Sequence, residues 1–115
     1  MALFSEPNPS VHRVYLDGKP KVQLRQGEDG LSVFDAEKTT STDILPFFRA
    51  GSLLVTMEIA LIESYGLQVV HTPGDPALPQ ILQENHMEIR PAEHLTRKQF
   101  KEALRALEQS MGDSA

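Results

Sequence analysis

The chain contains no cysteine. Disulfides, thiolate nucleophiles and every cysteine-based metal site are therefore excluded. Basic residues are in the minority, 11 Lys and Arg against 16 Asp and Glu, for a formal net charge of -5. Nucleic acid and anionic membranes thus find no electrostatic footprint, and neither is an expected partner. No stretch approaches the roughly 18 consecutive apolar residues of a membrane span. The N-terminal Met-Ala-Leu-Phe-Ser-Glu-Pro-Asn-Pro-Ser lacks a basic region followed by an apolar run, so no cleaved signal is expected and a cytoplasmic working place is. Phosphate loops are missing too. Neither a Walker pattern nor Gly-x-Gly-x-x-Gly occurs, so any nucleotide bound here is held outside a Rossmann fold. No serine lies in a Gly-x-Ser-x-Gly elbow.

What is present reads as one α+β domain. A length of 115 residues allows a single core, and 40% hydrophobic with 23% charged residues is ordinary for a soluble protein. Residues 1–10, with Pro7 and Pro9, read as an irregular lead-in to a domain spanning 11–111. Val11–Leu16 alternates as a strand, with Val11, Arg13 and Tyr15 on one face and His12, Val14 and Leu16 on the other. Asp17-Gly18 signals a turn, and Lys19–Arg25 resumes an extended pattern, which predicts a hairpin. Leu31–Asp35 is a short strand, and Asp43–Arg49 a short helical turn capped by Ser41 or Thr42. Leu53-Leu54-Val55 is too brief to assign. Thr56 is placed to cap a helix over Met57–Tyr65 that Gly66 ends. Leu67–Val70 reads as a strand, and the proline-rich His71–Pro79 as irregular. Thr96 and Gln99 form a capping box, with Leu95 and Phe100 as its hydrophobic staple. Phe100, Ala103, Leu104 and Leu107 then recur at helical spacing.

The stretch Gln83–Pro91 carries the most chemistry. At a period of two it turns Met87 and Ile89 to one side, and His86, Glu88 and Arg90 to the other. A charged edge strand that discourages aggregation shows the same pattern. Ser32 on its short strand has an equally plain explanation, a small hydroxyl packed among apolar neighbours. Metal binding has little support, because no histidine pair sits at a helical spacing with a Glu between, and no metal is expected. One combination remains. Arg13, Ser32 and Glu88 suit cleavage of a nicotinamide N-glycosidic bond, whose transition state resembles an oxocarbenium ion. A fixed carboxylate stabilises that charge and holds a ribose hydroxyl. The planar guanidinium fork suits phosphates or ribose, and a serine hydroxyl suits fixing the strand that carries the carboxylate or contacting the nicotinamide ribose.

Gly30-Leu31-Ser32-Val33-Phe34-Asp35, then His86-Met87-Glu88-Ile89-Arg90-Pro91 before a terminal helix, resembles the small bacterial ADP-ribosyltransferase-fold toxins, in particular those delivered by type VI secretion. Their Gly-x-Ser-Val-Phe-Asp and His-x-x-Ile-x-Pro stretches are similar, and His12-Arg13-Val14 is similar to the opening of their first strand. The resemblance implies a split mixed or antiparallel sheet with NAD as substrate in a cleft. It implies a toxin acting as a mono-ADP-ribosyltransferase or NAD glycohydrolase, neutralised by a cognate immunity protein or antitoxin. Glu88, Arg13 and Ser32 would be catalytic, and Arg13, Tyr15, Ser32 and His86 would contact NAD. Two departures stand out. Phe34 replaces a second hydroxyl two places after Ser32, and His86 replaces a Gln or Glu two places before Glu88, which speaks against arginine as acceptor. The rival expectation is a non-catalytic interaction module of a phage or toxin-antitoxin system, whose polar strand face meets a partner.

Overall fold

Among the described residues, five strands form one sheet and four helices lie around it. The computed structural model describes residues 9–16, 29–74 and 76–113, with side chains to residue 110. In chain order these are β1 (Ser10–Leu16), β2 (Leu31–Asp35), α1 (Ser41–Ile44) running into a 3-10 turn (Leu45–Phe47), β3 (Ser52–Glu58), α2 (Ile59–Ser64), β4 (Leu67–His71), α3 (Gln80–Glu84), β5 (His86–Pro91) and α4 (Arg97–Asp113). The strands form one sheet in the order β3-β1-β2-β5-β4, antiparallel throughout.

Each face of the sheet carries a packed cluster. On one, Val11, Leu31, Val33, Met57, Leu67 and Ile89 meet Ile62 of α2 and Phe100, Leu104 and Leu107 of α4. On the other, Phe34 packs with Ile44 of α1 and Leu82 of α3, flanked by Val14, Leu54 and Leu78. This second cluster is small, so it covers only part of its face. The remainder carries the polar row of β5.

The expected capping box of the last helix is present: Thr96 N donates to Gln99 Oε1 at 2.9 Å, and Gln99 N to Thr96 Oγ1 at 3.2 Å. Phe100 is buried and Leu95 packs against the same core, as a staple requires. Several boundaries differ from the sequence expectation. Thr56 and Met57 belong to β3 and not to a helix, because β3 pairs with β1 along its length and Met57 opposite Val11 fills the core. The helix begins only at Ile59 and ends before Gly66, whose φ of 81° is left-handed backbone. The indeterminate Leu53-Leu54-Val55 is strand. Thr40, one residue earlier than expected, caps α1, its N–H donating to Asp43 Oδ2 at 2.9 Å. Gln83 and Glu84 close α3, so the late strand starts at His86. Strand β1 starts at Ser10, inside the expected lead-in. The expected second hairpin arm, 19–25, lies outside the described residues. Among the described residues β1 has β2 and β3 as neighbours.

Candidate functional site

The polar face of β5 lies beside β2 near the middle of the sheet. Ser32 stands directly opposite Glu88, and Phe34 opposite His86. Residues opposite each other in an antiparallel pair share a face, so Ser32, Phe34, His86, Glu88 and Arg90 project together. Leu31, Val33 and Ile89 take the other side and are fully buried. Ser32 is accordingly exposed, not packed among its apolar neighbours.

Glu88 is held from one side. Arg90 donates to its Oε1 twice, from Nε at 2.9 Å and from Nη2 at 2.6 Å. Both bonds fall on one carboxylate oxygen; Oε2 takes none from the described residues. Room for this pair is left by Gly30. A Cβ there would stand 3.2 Å from Glu88 Oε1, Arg90 Cγ and the Ile89 carbonyl. The glycine ahead of β2 therefore serves close approach as well as the turn.

His86 is held on both nitrogens. Its Nδ1 lies 2.7 Å from the Thr72 carbonyl and 2.9 Å from Thr72 Oγ1. A carbonyl only accepts, so Nδ1 carries the proton. In the neutral ring Nε2 is then the acceptor for Ser32 Oγ–H, 3.1 Å away. Phe34 packs edge-on against the imidazole at 5.7 Å between ring centroids. Gly74 allows the loop to lie on the ring, since a Cβ there would fall 3.1 Å from His86 Cβ. A chain Ser32–His86–Thr72 thus ties β2, β5 and the loop after β4 together.

Arg13, which strand alternation puts on the Val11 face of β1, approaches Ser32 from the opposite side of the sheet. Strands β1 and β2 pair only at Val11↔Asp35 and His12↔Phe34. Beyond these pairs the guanidinium takes over from the ladder: Arg13 Nη1 donates to the Ser32 carbonyl at 2.8 Å. An open cleft of about 410 Å³ lies along this gap, with Arg13, Tyr15, Ser32, Phe34, Phe48 and Arg49 among its walls. Ser32 is the common member. Its residue lines the cleft beside Arg13 and Tyr15, and its side chain faces His86 and Glu88. Glu88 and His86 are not among the cleft's walls; they adjoin it across Ser32. Glu88 keeps 24% of its side chain exposed, reachable by a ligand.

Among the described residues, no three His, Asp or Glu side chains gather as metal ligands. No described helix is long and apolar enough to cross a membrane. Sequence reasoning missed Thr72, Phe48 and Arg49 as site residues. Gly30, two places before Ser32, entered only as part of the Gly-x-Ser-Val-Phe-Asp stretch, and the other three acquire their positions through loops. Comparison of the chain with protein-family models, with curated proteins and with solved structures finds no match.

Proposed function

We propose that the protein is an NAD-cleaving ADP-ribosyltransferase-like enzyme working at the junction of β1, β2 and β5. One observation carries this reading. Arg13, Ser32 and Glu88, separated widely in sequence, lie on adjacent strands, with Arg13 donating to the Ser32 carbonyl across the gap and Ser32 opposite Glu88. The cleft beside Ser32 supplies room for part of a dinucleotide substrate, and the exposed side of Glu88 adjoins it.

In this reading the Glu88 carboxylate accepts a hydrogen bond from the nicotinamide ribose and stabilises positive charge as the N-glycosidic bond breaks. Arg90 fixes the carboxylate through Oε1, leaving Oε2 for the ribose. Nicotinamide leaves with the bonding electron pair. An acceptor, either a nucleophilic group on a target or water, adds to the ribose carbon and releases a proton. Arg13 holds phosphate or ribose oxygens, and Ser32, oriented by His86, contacts the ribose. The bacterial toxin setting and its immunity protein or antitoxin belong to the same proposal and rest on the motif resemblance.

The test is nicotinamide release from NAD by purified protein, wild type against Glu88→Gln, with and without cell lysate. Turnover that depends on Glu88 supports the reading, and labelled NAD then identifies the acceptor. Absence of turnover under every condition refutes it and favours an interaction module using the same polar strand face.

A further inference from the structure

The cleft beside Ser32 differs in charge from the protein around it. The chain carries a net charge of -5, yet the charged residues lining this cleft are two arginines, Arg13 and Arg49. Arg49 is exposed, and its guanidinium makes no hydrogen bond or ion pair with the described residues. Three aromatic residues, Tyr15, Phe34 and Phe48, also line the cleft. Phe34 is anchored in the small core cluster and meets Phe48 edge-on at 6.2 Å between centroids. Phe48 remains 37% exposed at the mouth. Leaving ring surface in water forgoes apolar burial that a planar ligand would recover.

The geometry points to a subsite for a nucleoside 5′-monophosphate, with Arg49 on the phosphate and Phe48 against the base. Guanidinium groups recognise phosphate oxygens through charge-assisted bonds, and an aromatic face accepts any base by stacking. The volume, about 410 Å³, lies near the lower end of the about 300–1,000 Å³ of small-molecule sites. It suits half of a dinucleotide and not the whole. This deepens the NAD reading and rests on it for the ligand's identity: the cleft takes the adenylate half, and the reacting ribose lies toward Glu88.

Calorimetric titration with AMP, adenosine and ribose 5-phosphate tests the assignment, on wild type, Arg49→Gln, Arg49→Lys and Phe48→Ala, each checked for fold by circular dichroism. AMP is expected to bind more tightly than either fragment. Arg49→Gln should weaken AMP about tenfold and leave adenosine unchanged, with Arg49→Lys partly restoring AMP. Phe48→Ala should weaken AMP and adenosine about tenfold and leave ribose 5-phosphate unchanged. No AMP binding, or equal AMP affinity in all four folded proteins, overturns the subsite. The NAD assay fails separately. Arg49-dependent AMP binding without Glu88-dependent turnover refutes bond cleavage and keeps the subsite, whereas Glu88-dependent turnover with AMP insensitive to Arg49 and Phe48 does the reverse.

Discussion

Gly30→Ala isolates the space that Glu88 and Arg90 occupy. The added Cβ meets three atoms at 3.2 Å: Glu88 Oε1, Arg90 Cγ and the Ile89 carbonyl oxygen. The two side-chain atoms can yield by a few tenths of an ångström. The carbonyl belongs to the β2–β5 pairing around Leu31↔Ile89 and cannot yield without moving a central strand. Overpacking at such a site costs about 1–3 kcal/mol. Loss of glycine freedom in the unfolded chain returns about 0.4–1 kcal/mol. The net is a destabilisation of about 1–2 kcal/mol, equivalent to a fall in melting temperature of about 4–8 °C for a domain of this size. On the proposed function, the catalytic consequence should exceed this. A carboxylate displaced from its working position loses about tenfold or more in rate, so NAD turnover is expected to fall at least that far at temperatures where the variant is fully folded. Thermal melts and turnover at matched folded fraction are the assays. Trimming Arg90 to Ser removes one of the three obstacles, so the double variant should be less destabilised than the sum of the singles. A Gly30→Ala protein with unchanged stability and unchanged turnover refutes the steric argument.

Three further expectations follow from the same geometry. Arg90→Met should lower kcat about tenfold with little change in KM, because it frees Glu88 without touching the cleft, and Arg90→Lys should recover part of the loss in steady-state kinetics. His86→Ala removes the partner of Ser32 Oγ and of the Thr72 carbonyl and should cost about 1–2 kcal/mol in urea unfolding; a midpoint equal to wild type would show that the Ser32–His86–Thr72 chain ties nothing together. Leu104→Ala, at the centre of the buried face of α4, should cost about 2–5 kcal/mol in the same experiment, and a loss below 1 kcal/mol would mean that α4 is not the principal cover of that face.

Local signals located those elements whose pattern is self-contained. The final helix was legible because Thr96, Gln99, Leu95 and Phe100 each bear on its start through contacts within one turn. The two faces of β5 were legible for a similar reason, since alternation alone separates Met87 and Ile89 from His86, Glu88 and Arg90. The helix boundary after β3 was not. Thr56 is a sound capping residue in isolation, but Met57 gains more by filling the core opposite Val11, and ladder pairing to β1 carries the strand on to Glu58. The exposure of Ser32 was hidden in the same way. Its neighbours are buried by α2 and α4 on one face only, a fact absent from Leu31-Ser32-Val33 taken alone.

By itself, then, the sequence determined the α+β class, the closing helix, the amphipathic late strand and which side chains share its polar face, because short-range periodicity and capping decide these. Tertiary structure alone decided that Ser32 lies opposite Glu88, that Arg13 replaces a ladder donor at the Ser32 carbonyl, that His86 is held between Ser32 and Thr72, and that Gly30 makes room for the Glu88–Arg90 pair. Each of these joins residues distant in sequence through strand order and register, and strand order is set by how the whole core closes rather than by any one segment.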